Sequence, residues 1–159
     1  MSKGQSRFNI VIFEPEIPGN TGTIGRTCLA LDATLHLIHP LGFDLREKAV
    51  RRAGLDYWKH VKLSEYDSWE HFLTISQAPL EQLILFSKNG KQYHYQANYT
   101  TDCYLIFGPE TRGLPDSLLK DYEKQTFKLP MFSDKVRSIN LSNAVTAVAY
   151  EALRQIGFK

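Results

Sequence analysis

Short apolar segments alternate along this sequence with segments of helical periodicity, and this alternation constrains the fold more than any other feature. Apolar runs predict strands at residues 8–13, 35–38, 82–86, 103–107 and 127–129. Helical spacing predicts helices at residues 21–31, 44–53, 68–77, 116–122 and 142–155. Strands that alternate with helices are typical of α/β proteins, so we expect a mostly parallel sheet flanked by helices. No linker or repeat divides the chain, and residues 1–159 are expected to form a single domain.

Composition and spacing exclude several classes of protein. The apolar run at residues 8–13 is far too short to span a membrane or to act as a signal peptide, so we expect a cytoplasmic protein without a membrane partner. Cys28 and Cys103 form no CxxC motif, and the five histidines lack the close spacing of metal ligands. We therefore expect no metal site.

Three polar segments follow predicted strands, at residues 14–20, 108–115 and 135–144. In an open parallel sheet, ligands bind beyond the carboxyl ends of the strands, so these segments are expected to converge on one site. The third segment holds more helix-capping side chains than one helix needs, because a single N-cap residue normally suffices. These side chains are Ser138, Asn140, Ser142 and Asn143. The excess indicates a ligand site, with Ser142 and Asn143 left to start the last helix.

Several residues of the first two segments have both a functional and a structural interpretation. Gly108 permits close approach of a ligand to bare backbone, but a tight turn after a strand also favours glycine. The pattern around it matches neither GxGxxG nor GxxxxGK[ST], which argues against a dinucleotide or triphosphate site. Arg26 is expected to pair either with Glu110 across the site or, as a surface ion pair, with Glu14 or Glu16.

Residues 51–60 interleave basic and aromatic side chains, including Arg51, Arg52 and Tyr57. Such a pattern is typical of surfaces that contact phosphates and stack on bases, although a solvated helix end has the same composition. The formal net charge of +2 is compatible with an RNA partner but does not require one. We predict that Arg51, Arg52 and Tyr57 bind RNA.

Three motifs in order resemble the signature motifs of the SPOUT superfamily of RNA 2′-O-methyltransferases. They are PGNTGTIGR at residues 18–26, FGPETRGLP at 107–115 and RSINLSNA at 137–144. The segments EPEIP at 14–18 and RRAGLDY at 51–57 narrow the resemblance to the enzymes that methylate the wobble nucleotide, cytidine or uridine 34, of tRNA. The same reaction at another tRNA or rRNA site, and a noncatalytic RNA- or cofactor-binding protein, are the alternatives.

The resemblance implies a fold, a cofactor and a set of site residues. The fold would be the SPOUT α/β fold with a deep C-terminal trefoil knot, and the cofactor would be S-adenosyl-L-methionine. The cofactor-binding residues implied are Phe86, Gly108, Leu129, Ser138, Ile139 and Leu141. The catalytic residues implied are Arg26, Asn20, Glu110 and Asn140.

The resemblance also implies a homodimer with a composite active site, in which Arg26 comes from the other subunit. Arg26 would activate the ribose hydroxyl, with Asn20, Glu110 and Asn140 fixing its position. Arg26 would act either as a base or as an electrostatic stabiliser. Because a guanidinium is effectively always protonated, a literal base is disfavoured, and Arg26 would instead stabilise the developing alkoxide or orient it through a phosphate.

Overall fold

The computed structural model describes residues 5–46, 50 and 57–157, and seven strands lie within them. The strands are β1 (Asn9–Phe13), β2 (Thr34–Ile38), β3 (Leu63–Tyr66), β4 (Leu83–Phe86), β5 (Gln92–Tyr93), β6 (Tyr104–Phe107) and β7 (Thr126–Lys128). The helices with described bounds are α1 (Pro18–Ala30), α2 (Trp69–Ser76), α3 (Asp116–Asp121) and α4 (Leu141–Ile156). Single 3₁₀ turns lie at Trp58–His60, Leu80–Gln82, His94–Gln96 and Glu123–Gln125.

The described strands form one parallel sheet in the order β3-β2-β1-β6-β4-β7-β5. The expected α/β fold with a mostly parallel sheet is therefore confirmed. Since every described pair is parallel, the carboxyl ends of the strands share one edge of the sheet. Phe86 and Phe107 end the neighbouring strands β4 and β6 at that edge.

Both faces of the sheet are covered, which explains why the central strands β1, β4 and β6 are nearly continuous apolar runs. Ile10 of β1 packs with Ile24 of α1 and Val148 of α4 in one cluster. The next residue of β1, Val11, packs with Phe72 of α2 in the other. Successive strand residues point to opposite faces, so β1, β2, β4 and β6 each contribute to both clusters.

Five strand predictions and four helix predictions agree with the structure to within a few residues, and two strands were not predicted. The unpredicted strands are β3 at one edge of the sheet and β5 at the other. Of the helix predicted at residues 44–53, the structure describes only residues 44–46, which are not helical, and Val50. The rest of that range lies outside the described residues.

The start of α1 differs from the prediction. The helix predicted at residues 21–31 begins earlier, at Pro18, and Ile17 occupies the N-cap position without a side-chain cap. Proline is favoured in the first helical turn because its missing N–H is not needed there. At the other end of the chain, α4 ends at Ile156, one residue beyond the predicted helix, and its C-cap Gly157 has φ of 93°.

Within the described residues, no helix combines the length and the hydropathy required to cross a bilayer. The same part of the chain contains no group of three or more His, Cys, Asp or Glu side chains that could hold a metal ion. Cys28 and Cys103 are buried and carry free thiols.

Candidate active site

A cavity of about 350 Å³ lies at the carboxyl edge of the sheet, beyond the ends of β4, β6 and β7. Its volume falls in the range of roughly 300–1,000 Å³ that is typical of small-molecule sites. The lining contains every residue predicted to bind the cofactor, namely Phe86, Gly108, Leu129, Ser138, Ile139 and Leu141. Two of the three predicted segments, those after β6 and β7, therefore converge here together with the loop after β4, whereas residues 14–20 do not line the cavity.

One part of the cavity wall is aromatic. The rings of Phe86 and Phe107 stack with their centroids 4.8 Å apart and an angle of 15° between their planes. Leu129 and Leu141 extend this apolar surface. In contrast, Ser138 and Ile139 belong to a segment of exposed residues at the cavity wall. The cavity thus offers apolar walls for a flat ring and main-chain groups for hydrogen bonds.

Position 108 requires glycine because the backbone of its own loop folds back against it. A Cβ at this position would lie 2.3 Å from the carbonyl carbon of Gly113 and 2.3 Å from the amide nitrogen of Leu114. Gly113 has φ of 68°, and its N–H donates to the carbonyl of Pro109 at 3.0 Å. The loop is therefore a tight turn, which confirms the structural interpretation of Gly108, and it also lines the cavity.

Carboxylates join the loop after β1 to the loop after β6. Glu110 accepts hydrogen bonds from the backbone N–H groups of Glu16 at 2.8 Å and Ile17 at 3.1 Å. In return, the Glu16 carboxylate accepts from the backbone N–H of Thr111 at 3.1 Å and from its hydroxyl at 2.7 Å. These hydrogen bonds from Thr111 lower the pKa of Glu16.

An ion pair completes this connection, since a guanidinium nitrogen of Arg112 lies 3.3 Å from Glu14. We call the five residues Glu14, Glu16, Glu110, Thr111 and Arg112 the interloop clasp. The clasp fixes the start of α1 against the cavity loop. Sequence reasoning missed the roles of Glu16 and Thr111; their only signal was the density of polar side chains in two compact loops.

The predicted pairing of Arg26 with Glu110 is wrong, and so is the alternative pairing with Glu14 or Glu16. The three carboxylates are engaged within the clasp. Arg26 is exposed on α1, and its guanidinium carbon lies 5.5 Å from the centre of the Tyr57 ring. Arg26 does not belong to the lining of the cavity in its own chain.

Asn20 and Asn140 are brought together, as their predicted shared role requires. The Asn140 side-chain amide donates to the Oδ1 of Asn20 at 3.2 Å. The Oδ1 of Asn140 also accepts from the backbone N–H of Asn143 at 3.2 Å and from the Ser142 hydroxyl at 2.5 Å. Asn140 is therefore the N-cap of α4, and the prediction that Ser142 and Asn143 alone start this helix is wrong.

Two of the residues predicted to bind RNA, Arg51 and Arg52, lie outside the described residues. The basic side chains of Lys88, Arg112 and Arg137 also line the cavity. Arg112 and Arg137 lie within the second and third motifs, whereas no sequence pattern pointed to Lys88.

The chain is similar to proteins of known fold and name. Residues 7–150 match the SpoU rRNA Methylase family. The chain is 47% identical over 152 residues to a tRNA (cytidine(34)-2′-O)-methyltransferase of Saccharophagus degradans, and the match covers 95% of this chain and 97% of that one.

The chain is also similar to solved structures of methyltransferases. One, described as structural insights into the 2-OH methylation of C/U34 on tRNA, has a TM-score of 0.84 and 45% identity, covering 93% of this chain and 95% of that one. The SpoU methyltransferase AviRb from Streptomyces viridochromogenes, in complex with the cofactor AdoMet, has a TM-score of 0.80 and 25% identity, covering 95% of this chain and 58% of that one.

Proposed function

This chain belongs to the SpoU rRNA methylase family, and from that premise we propose that it transfers the methyl group of S-adenosyl-L-methionine to a ribose 2′-oxygen of tRNA. The proposed acceptor is nucleotide 34, the wobble cytidine or uridine. Support comes from the relatives that are named for this reaction. The observation that carries the proposal is one cavity of about 350 Å³ lined by all the predicted cofactor residues, in a chain 47% identical to such an enzyme.

The residues of the cavity fit this cofactor. Phe86 and Leu129 would contact its adenine through apolar surface, and the turn at Gly108 leaves backbone exposed at the cavity wall. Backbone groups of Ser138 and Ile139 would supply hydrogen bonds, because their segment is exposed to solvent. When bound, the cofactor supplies an electrophilic methyl group on a sulfonium.

The remaining task is to place the acceptor hydroxyl and to stabilise the charge that develops on its oxygen. Arg26 carries a permanent positive charge and is proposed to do this as an electrostatic stabiliser. Asn20 and Asn140 are hydrogen-bonded to each other and are proposed to contact the acceptor ribose. Glu110 is proposed to act through the clasp, since its carboxylate binds backbone N–H groups at the start of α1.

The proposed active form is a homodimer in which Arg26 serves the cavity of the partner subunit. Arg26 is exposed and lies outside the lining of its own cavity, which supports a composite site. Helices α1 and α4 are neighbours, with the hydroxyls of Thr27 and Thr146 3.1 Å apart. Both helices leave large apolar side chains exposed, at Leu29 and Tyr150. Exposed apolar surface of this kind is typical of protein interfaces.

We further propose that residues 1–159 act as one methyltransferase domain in the cytoplasm, where tRNA is modified, and that Arg51 and Arg52 contact the tRNA backbone. The family match over residues 7–150 supports a single functional unit. The trefoil knot stays a prediction.

The direct experiment incubates the protein with tritium-labelled S-adenosyl-L-methionine and unmodified tRNA, and maps the label by nuclease digestion and mass spectrometry. We expect one 2′-O-methylated nucleotide, at position 34. Label at another tRNA position, or in rRNA fragments alone, would identify one of the alternative substrates. No transfer to any RNA under conditions where the cofactor binds would refute the proposed function.

Mixed dimers test the composite site. Arg26→Ala removes the proposed stabiliser, whereas Ser138→Trp blocks the cavity from an exposed position. If Arg26 acts on the partner's cavity, mixing the two inactive variants in equal amounts restores about one quarter of the wild-type activity, because half of the dimers are mixed and each has one intact site. If Arg26 acts on its own cavity, the mixture stays inactive.

A further inference from the structure

The guanidinium of Arg26 lies over the face of an aromatic ring, that of Tyr57. Its central carbon lies 5.5 Å from the centroid of the Tyr57 ring. A guanidinium within about 6 Å of a ring centroid is attracted by the negative face of the ring. An exposed arginine otherwise samples many side-chain conformations, so this contact restricts where the charge of Arg26 lies.

The position of Tyr57 is itself fixed by the next residue. Trp58 packs against α1 at Gly25, the residue before Arg26, where a Cβ would lie 2.5 Å from the Cζ3 of Trp58. The indole therefore lies against the bare backbone of the helix, and a larger residue at position 25 would push it away. Because Gly25 and Arg26 are adjacent, the same close approach brings Tyr57 to the guanidinium.

The hydroxyl of Tyr57 takes no part in this arrangement. It is buried and has no hydrogen-bond partner among the residues that the structure describes. Burial raises the pKa of Tyr57, and the charge of Arg26 opposes that change, as expected for a cation close to the phenol. The contribution of Tyr57 to this contact therefore resides in its ring.

We infer that Tyr57 is a positioning residue for methyl transfer: its ring holds the guanidinium of Arg26 in the orientation that reaches the acceptor ribose. This inference rests on the proposed function, and it replaces the prediction that Tyr57 contacts RNA directly. Gly25 and Trp58 form the support that keeps the ring in place. If the Tyr57 ring positions Arg26, its loss should lower the rate of the chemical step. If the ring instead stacks on an RNA base, its loss should lower the affinity for tRNA.

The test compares Tyr57→Leu, which removes the ring, with Tyr57→Phe, which retains it. The matched control is Tyr95→Leu, since Tyr95 is 52% exposed and its ring stacks on Tyr93, away from α1. At saturating tRNA we expect Tyr57→Leu to lower kcat by about 2- to 30-fold, the equivalent of losing one cation–π contact. The KM for tRNA should stay the same, Tyr57→Phe should restore most of kcat, and Tyr95→Leu should resemble the wild type.

A second measurement reports on the contact without catalysis. In NMR spectra, the ring current of Tyr57 should shift the side-chain methylene resonances of Arg26 upfield in the wild type and in Tyr57→Phe. The shift should vanish in Tyr57→Leu. Thermal unfolding of each variant establishes that it is folded under the assay conditions.

The possible outcomes separate this inference from the proposed function. An active wild type whose kcat is unchanged in Tyr57→Leu would overturn the positioning role alone. A rise in KM for tRNA at constant kcat would also overturn it, and would assign Tyr57 to RNA contact. Absence of the upfield shift would overturn the contact itself. A wild-type protein that methylates no tRNA would refute the proposed function, and the positioning role with it.

Discussion

A buried histidine makes the stability of this protein depend on pH. His36 is 6% exposed, with its Nδ1 2.8 Å from the Tyr66 hydroxyl and its Nε2 2.8 Å from the Oδ1 of Asn9. The Nδ2 of Asn9 donates to the carbonyl of Asp102 at 3.3 Å, which leaves its Oδ1 to face the imidazole. The neutral ring therefore donates from Nε2 and accepts from the tyrosine at Nδ1.

Burial lowers the pKa of His36 from 6.5 to about 4. Between these two values the unfolded chain binds a proton that the folded protein does not, so the free energy of unfolding falls as the pH is lowered. The contribution of the neutral His36 side chain to the free energy of unfolding is complete above pH 6.5 and is lost progressively down to about pH 4. Between pH 7.5 and pH 5.0 the calculated loss is about 2 kcal/mol.

Urea unfolding at these two pH values, at one protein concentration, measures this loss. His36→Gln is the control, because glutamine does not titrate while the carboxylates contribute equally to both proteins. We expect the wild type to lose about 2 kcal/mol more than the variant between pH 7.5 and pH 5.0. Equal losses in the two proteins would refute the argument that His36 is buried in its neutral form.

Three further predictions concern the cavity, the clasp and the buried thiols. Gly108→Ala introduces a methyl group 2.3 Å from backbone atoms, so cofactor affinity measured by calorimetry should fall by about 10-fold or more. Gly19→Ala, whose Cβ meets nothing within 4 Å, should leave that affinity unchanged. Glu110→Ala removes two charge-assisted hydrogen bonds and should lower the free energy of unfolding by about 1–3 kcal/mol, and Glu110→Gln by less; equal effects would argue against the clasp. Burial raises the pKa of Cys28 and Cys103, so neither thiol should react with a disulfide reagent before the protein unfolds, and rapid labelling of the native protein would contradict their burial.

The central strands β1, β4 and β6 were predictable because each is buried on both faces and has a nearly continuous apolar sequence. The edge strands were not. In β3, the sequence Leu63-Ser-Glu-Tyr66 has a single fully buried residue, so its hydrophobic pattern is weak. β5 contains only two residues, and pairing with β7 rather than its own sequence makes it a strand. Tertiary pairing therefore supplied what local propensity did not.

The location of the site was predictable, but the partners of its side chains were not. The rule that ligands bind at the carboxyl ends of parallel strands correctly placed the loops after β6 and β7 at the cavity. The loop after β1 contacts the β6 loop through the clasp but does not line the cavity, and the loop after β4 was not predicted to line it. Charge alone suggested that Glu110 binds Arg26, whereas Glu110 binds backbone N–H groups and Arg26 lies over Tyr57. A sequence does not show which backbone N–H groups or aromatic ring faces lie near a charged side chain. Pairing Glu110 and Arg26 by charge alone therefore gave the wrong partners.

The most direct test of the account is methyl transfer to tRNA in which nucleotide 34 alone lacks its 2′-hydroxyl. Two tRNAs, identical except for ribose or 2′-deoxyribose at position 34, are compared in single-turnover reactions with labelled cofactor, and binding of each is measured separately. If the 2′-oxygen of nucleotide 34 is the acceptor, both tRNAs should bind and only the ribose form should be methylated. Equal methylation of the two tRNAs would contradict the claim that the 2′-oxygen of nucleotide 34 is the acceptor.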